Sequence, residues 1–373
     1  MPLTDEGLDL ALEFLMIGAA HDLAAQIQNH DLALEVLLDI QLTPPMWPYC
    51  GMLAETVPIP SYDRIIQAGF QPGLCPWSKA GMNPVRASVL SGSWYSADAA
   101  HLAAEIDRYL AAADPSLRPD GRALLAVVPH AGYSYSGPSA GLAFGLLRNQ
   151  RPRRVVILAP NHRTPLVRCA VSSATSFATP LGNVPLDTAA CADLATRPGF
   201  VRADPAHAGE HAVEIQLPFL QRLWPDCPPP IVPVLVPRLD DRVRSEAADA
   251  LGNLWDEETL VVVSSDFTHF GASYGYEPFM EDVPDALEKL DAGAILKILA
   301  GDAAGLVDYG RRTGITMCGL EACAMALTCG LPPGYEAALL DYRRSADLNG
   351  DFSRSVSYAA ILICAGAGKE THG

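Results

Sequence analysis

Three separate apolar runs of this chain each end on a residue that can bind a metal ion or move a proton. "LLAVVP" (124–129) runs into His130, "RRVVILAP" (153–160) into Asn161 and His162, and "TLVVVSS" (259–265) into Asp266, with His269 three residues on. A histidine after a strand is ordinarily a loop residue with a backbone partner, but the same outcome at three strand ends points to a shared site. Two neutral imidazoles meeting an acidic or thiolate group make up the donor inventory of a transition-metal centre. "GITMCGLEACAM" supplies a thiol, Cys318, where a helix is expected to begin near Gly319 or Leu320. A helix N-terminus stabilises a thiolate and makes a better nucleophile or ligand. The alternative is that Cys318 merely packs, as Cys323 and Cys329 on the apolar run of that helix are expected to do.

Weaker candidates surround these. "GEHAVEIQLPFL" from Gly209 places His211 and Glu214 three apart, hence on one face if a helix starts there. They read either as a pair supporting the site or binding substrate, or as acidic residues complementing a helix N-terminus. Tyr133 and Tyr135, in the glycine-punctuated segment after His130, are either hydrogen-bond donors in the pocket or stacked loop residues. A hydrolase with Cys318, Ser264 or Ser265 as nucleophile is a competing reading, but no Gly-x-Ser-x-Gly elbow occurs. Neither a phosphate-binding loop nor a Gly-x-Gly-x-x-Gly fingerprint is present, which disfavours a nucleotide enzyme.

The elements that must hold these residues follow from hydropathy. Further apolar runs are "PIVPVLVP" from Pro230, "YEAALLDY" from Tyr335 and "SVSYAAILIC" from Ser355, with helical stretches such as "SADAAHLAAEIDRYLAAA" and "PDALEKLDAGAILKILAG" between strands. Continuous rather than alternating apolar runs predict strands buried on both faces, in a sheet covered by helices. Sites in such α/β folds form where loops leave the carboxyl ends of strands. Residues 1–80 differ: an amphipathic helical pattern gives way to a Pro- and Gly-rich stretch carrying Trp47, Tyr49, Phe70 and Trp77, so they read as a helical N-terminal extension and linker.

Composition narrows the function. The chain has 373 residues, 49% hydrophobic, enough for a full core. Its formal charge of -17 repels phosphate backbones and anionic headgroups, which argues against nucleic-acid or membrane-surface binding. Cysteines number 9, odd and without a Cys-x-x-Cys pair. That disfavours a disulfide framework and suits a reducing cytosol, so a cytoplasmic protein is expected.

"SGSWYSAD" (91–98), "PHAGYSYSG" (129–137), "APNHRTPL" (159–166), "TPLGNVPLD" (179–187), "EHAVEIQLPFL" (210–220), "SSDFTHFG" (264–271), "MCG" (317–319) and "VSYAA" (356–360) occur in the order expected of the Memo family, also called AmmeMemoRadiSam system protein B. The chain resembles that family from about Val85 to Ala365. The resemblance implies a three-layer α/β domain over residues 81–373, similar to the class III extradiol dioxygenases. It implies a metal pocket built from His130, His162 and Cys318, lined by Asp266 and His269, with His269 matching the general acid/base of extradiol enzymes. Extradiol enzymes use a carboxylate where Cys318 stands, and the softer thiolate admits copper(I) as well as iron(II). The expected function is therefore a non-haem iron(II) oxidase or oxygenase that takes dioxygen and a small phenolic or chelating substrate. The alternative is a redox-active metal-binding adaptor that recognises a protein or peptide partner. The N-terminal extension offers a surface for a partner or for self-association.

Overall fold

The computed structural model of the chain describes residues 85–366. The extension expected over residues 1–80, with its aromatic residues, lies outside the described residues.

Strands form at Val85–Arg86 (β1), Ala123–Val128 (β2), Arg154–Pro160 (β3), Cys169–Val171 (β4), Ser176–Thr179 (β5), Gly182–Pro185 (β6), Phe200–Arg202 (β7), Ile231–Val236 (β8), Thr259–Ser264 (β9), His269–Gly271 (β10), Glu336–Arg344 (β11) and Arg354–Cys364 (β12). The main sheet has the order β10-β12-β2-β9-β3-β8-β4-β7, with β11 also paired to β12; β1, β5 and β6 form a small second sheet. Its centre, β2-β9-β3-β8, is parallel throughout. Each residue of these four strands is buried, as continuous apolar runs require when both faces are covered.

Helices Ala99–Ala111 (α1), Tyr133–Gly145 (α2) and Leu217–Leu223 (α3) pack together, with α2 on β2, β11 and β12. Helices Asp241–Gly252 (α4), Val283–Leu299 (α5), Ala303–Thr313 (α6) and Leu320–Thr328 (α7) form a second group, with α7 on β3 and β9 and α5 on β11 and β12. The result is the three-layer α/β arrangement expected, with a mixed rather than purely parallel sheet. Composition explains the close crossing of α1 and α2: a Cβ on Gly141 would stand 2.5 Å from the Tyr109 Cβ, so only glycine lets the backbones approach this far. The long apolar strands were legible in the sequence. The short β4, β5, β6, β7 and β10 were not, because they contribute few residues and depend on their neighbours for pairing. Among the described residues no helix is long and apolar enough to cross a membrane.

Candidate metal centre

Strand order brings the chemistry together. Because β9 lies between β2 and β3, the loops leaving the carboxyl ends of three adjacent parallel strands carry His130, Asp266 and His162. Cys318 arrives from the second helical layer, one residue before Gly319, the N-cap of α7. The Gly319 N–H donates to Ser265 Oγ at 3.0 Å, and a Cβ on Gly319 would stand 2.4 Å from the Ser265 Cβ. Glycine there is therefore a steric requirement for seating Cys318 against β9. The thiol sulfur sits 3.1 Å from His130 Nε2 and 3.4 Å from the Asp266 carbonyl oxygen.

Hydrogen-bond bookkeeping fixes two tautomers. Ser264 gives its only proton to the Ala212 carbonyl at 2.6 Å and accepts from Gln216 Nε2 at 2.9 Å. His130 Nδ1, 3.0 Å from the same oxygen, must therefore be the donor, which leaves the lone pair on Nε2, the nitrogen beside Cys318. His162 Nδ1 lies 2.9 Å from Glu210 Oε1, and the Glu210 Oε2 accepts the His162 backbone N–H at 2.8 Å. An ionised carboxylate only accepts, so His162 also has its proton on Nδ1 and its lone pair on Nε2. A carboxylate behind a histidine is the usual support of a metal ligand.

His211 joins this pair. His130, His162 and His211 each offer a ring nitrogen, and these lie within 4.8 Å of one another, a group able to hold a metal ion. The His211 ring stacks on His162 at 4.6 Å between centroids and 18° between planes, and meets Trp94 at 4.6 Å. His130 stands edge-on to both, at 81° to His162 and 82° to His211.

Burial sets the charges. It drives His130 well below the ordinary imidazole range and His211 down to about 4, so both are neutral and available as donors at neutral pH. It pushes Asp266 up to about 6 against the opposing pull of His269 and of the His130 N–H, which reaches Asp266 Oδ1 at 2.7 Å. Burial acts on Glu210 in the same upward sense, but bonds from His162 outweigh it and hold the carboxyl at about 2. The expectation that a helix N-terminus would lower the Cys318 thiol is corrected: burial, and next the Asp266 carboxylate, push it well above its ordinary value. A cation beside the sulfur would reverse that balance.

His269 opens β10. Its Nδ1 lies 3.1 Å from the Phe267 carbonyl and 3.2 Å from the Thr316 carbonyl. Carbonyls only accept, so Nδ1 carries a proton, and in the neutral ring the lone pair lies on Nε2.

Three weaker candidates lie elsewhere. Glu214 and His211 do not lie on one helix, because His211 is in the loop before the 3₁₀ turn Glu214–Gln216 that leads into α3. Its carboxylate is fully buried and paired with Arg86, accepting also from Tyr95 at 2.6 Å and Ser88 at 2.7 Å. Tyr133 is the first residue of α2 rather than part of a turn. Its ring packs on Tyr95 and Phe219, and its hydroxyl donates to the Ile215 carbonyl at 2.8 Å, so it is a core residue and not a pocket wall. Tyr135, two residues further along α2, is exposed. Glu210, Ser264 in its supporting role and Trp94 were not singled out from the sequence. Only the adjacency of Glu210 to His211 pointed toward it, since its partners are remote in sequence.

The family model described as "Memo-like protein" matches residues 86–362. The chain belongs to the Memo-like family. A MEMO1 family protein of Methanopyrus kandleri is 34% identical over 290 residues, 74% of this chain and 98% of that one. Protein MEMO1 of Xenopus laevis is 32% identical over 72% of this chain and 94% of its own, and the memo-1 homolog of Caenorhabditis elegans 30% over 74% and 82%. Among solved structures, an uncharacterized protein from Escherichia coli K12 superposes with TM-score 0.43 and 15% identity, covering 65% of this chain and 100% of its own.

Proposed function

We propose that this Memo-like protein is a metal-dependent oxidase or oxygenase, with iron(II) as its metal and a small phenolic or otherwise chelating molecule as substrate alongside dioxygen. The observation that carries the reading is the group of His130, His162 and His211, whose ring nitrogens lie within 4.8 Å of one another, with His130 and His162 held through Nδ1 and the Cys318 thiol 3.1 Å from His130 Nε2. His130, His162 and Cys318 would hold the ion, and their mixed nitrogen and sulfur donors suit iron(II) and admit copper(I). When bound, such a metal supplies the one-electron chemistry that amino-acid side chains lack.

The chain's own residues do the rest. His269 Nε2 accepts the proton that a phenol loses on binding, while the Phe267 and Thr316 carbonyls hold the ring in the accepting tautomer. Asp266, lifted by burial to about 6, holds the His130 loop by accepting the His130 backbone N–H. Trp94 and His211, tilted 55° to one another, place aromatic surface beside the cluster, against which a ring-bearing substrate can pack. A cytosolic setting, which keeps thiols reduced, fits a working Cys318.

The third imidazole favours a second reading, a metal-binding adaptor for a protein or peptide partner, since more donors leave fewer open positions. Oxygen uptake separates the two. Protein loaded anaerobically with iron(II) is expected to consume dioxygen with a panel of catechols, and Cys318→Ala or His130→Ala to abolish this. His269→Ala is expected to lower turnover while keeping the metal. Tight copper(I) binding with no oxygen uptake under any of these conditions would refute the enzyme reading and leave the adaptor.

A further inference from the structure

The three histidines are not held alike, and the difference has a consequence for how the centre opens. His130 and His162 each have Nδ1 engaged, by Ser264 at 3.0 Å and Glu210 at 2.9 Å, as metal-ligating imidazoles normally do. The His211 Nδ1 lies 3.1 Å from Glu210 Oε1 but is buried without a hydrogen-bond partner. The reason is crowding. Oε1 already accepts from His162 Nδ1 at 2.9 Å, the His211 backbone N–H at 2.9 Å and the Ala212 N–H at 3.1 Å, more than the two lone pairs of one oxygen serve well. The His211 ring is thus held by its backbone and by ring packing, with no hydrogen bond at Nδ1.

Its orientation adds a second observation. A nitrogen lone pair lies in the ring plane, and the His211 plane is within 18° of His162 at 4.6 Å between centroids. Two nearly parallel, stacked rings do not aim at one ion, although their donor atoms and that of His130 lie within 4.8 Å. His211 reaches a shared ion only by turning out of its stack on His162. The ring stands in the stack, and a turn of the side chain would carry it to the ion.

We propose that His211 is an exchangeable fourth ligand: it closes the centre beside His130, His162 and Cys318, and returns to its stack on His162 when a small molecule takes its position. The inference rests on the metal-centre reading above. It assigns opposite states to the same site, four side-chain donors and closed at rest, three donors and open when a ligand binds, and so reconciles a donor-rich cluster with catalysis.

Cobalt(II), added alone to the full chain, is the probe, because its visible bands report coordination number and its near-ultraviolet thiolate band reports Cys318. Wild type is expected to show the intense bands of a four-coordinate ion, which weaken or shift as azide is added. His211→Ala is expected to keep the thiolate band, to bind cobalt(II) about tenfold or more weakly, and to regain the wild-type spectrum with added imidazole. Trp94→Ala removes the tilted ring that meets His211 at 4.6 Å without touching a donor, and is expected to raise severalfold the azide concentration needed to displace His211. Wild-type spectra, affinity and azide response in both variants overturn the exchangeable ligand alone. No cobalt(II) binding by wild type, or unchanged binding by His130→Ala, overturns the metal centre and this inference together.

Discussion

Glu210 is the group on which the centre leans most, and Glu210→Gln tests that. The side chain is 2% exposed, and its oxygens accept four N–H groups: the His162 backbone and Nδ1, and the backbones of His211 and Ala212. Glutamine keeps the shape but turns one acceptor into an NH₂ that faces donors. Each buried group left unpaired costs about 1–3 kcal/mol, and His162 loses the partner that fixes its tautomer. Metal affinity is expected to fall by about 10–100-fold, as for other carboxylates behind ligating histidines. The same carboxyl makes the fold acid-sensitive. A native value of about 2, against an ordinary 4.5, corresponds to about 3 kcal/mol of stabilisation. Because the folded value is depressed, that stabilisation is fully present above about pH 4.5 and is lost as pH falls toward about 2. Denaturation midpoints of wild type and variant should therefore converge in acid and separate toward neutrality, alongside weaker metal binding by calorimetry. A variant with wild-type metal affinity and an unchanged acid limb would refute the assignment of Glu210.

Other substitutions test the remaining supports. Gly319→Ala places a methyl 2.4 Å from the Ser265 Cβ and is expected to destabilise by about 1–3 kcal/mol in urea melts and to shift the Cys318 environment. Arg86→Met leaves the fully buried Glu214 unpaired, so a loss of about 3–5 kcal/mol is expected, with the loop carrying Trp94 loosened in hydrogen exchange. Because burial holds the Cys318 thiol high, metal-free protein should alkylate there far more slowly at pH 8 than at the exposed Cys227, read by mass spectrometry; equal rates would contradict the burial argument. Ser264→Ala removes the acceptor of His130 Nδ1 at 3.0 Å, and the nitrogen shifts of that ring should report a mixed tautomer.

The strand ends carrying His130, His162 and Asp266 were visible in the chain because a strand buried on both faces reads as an unbroken apolar run, and polar residues can follow only where it leaves the sheet. The place of Cys318 at the start of a helix was equally local, fixed by Gly319 and the apolar run behind it. Strand order was not local: nothing in the runs says that β9 inserts between β2 and β3, yet that insertion sets His130 beside Asp266, 136 residues away. Tertiary structure also chose between His211 and Glu214, three positions apart, by turning one into the cluster and pairing the other with Arg86. The tautomers of His130 and His162, and the elevation of the Cys318 thiol, depend on partners from other strands and on burial, quantities that exist only once the chain has closed around them. The sequence by itself determined which donors reach the sheet edge; packing determined which of them meet and in what protonation state.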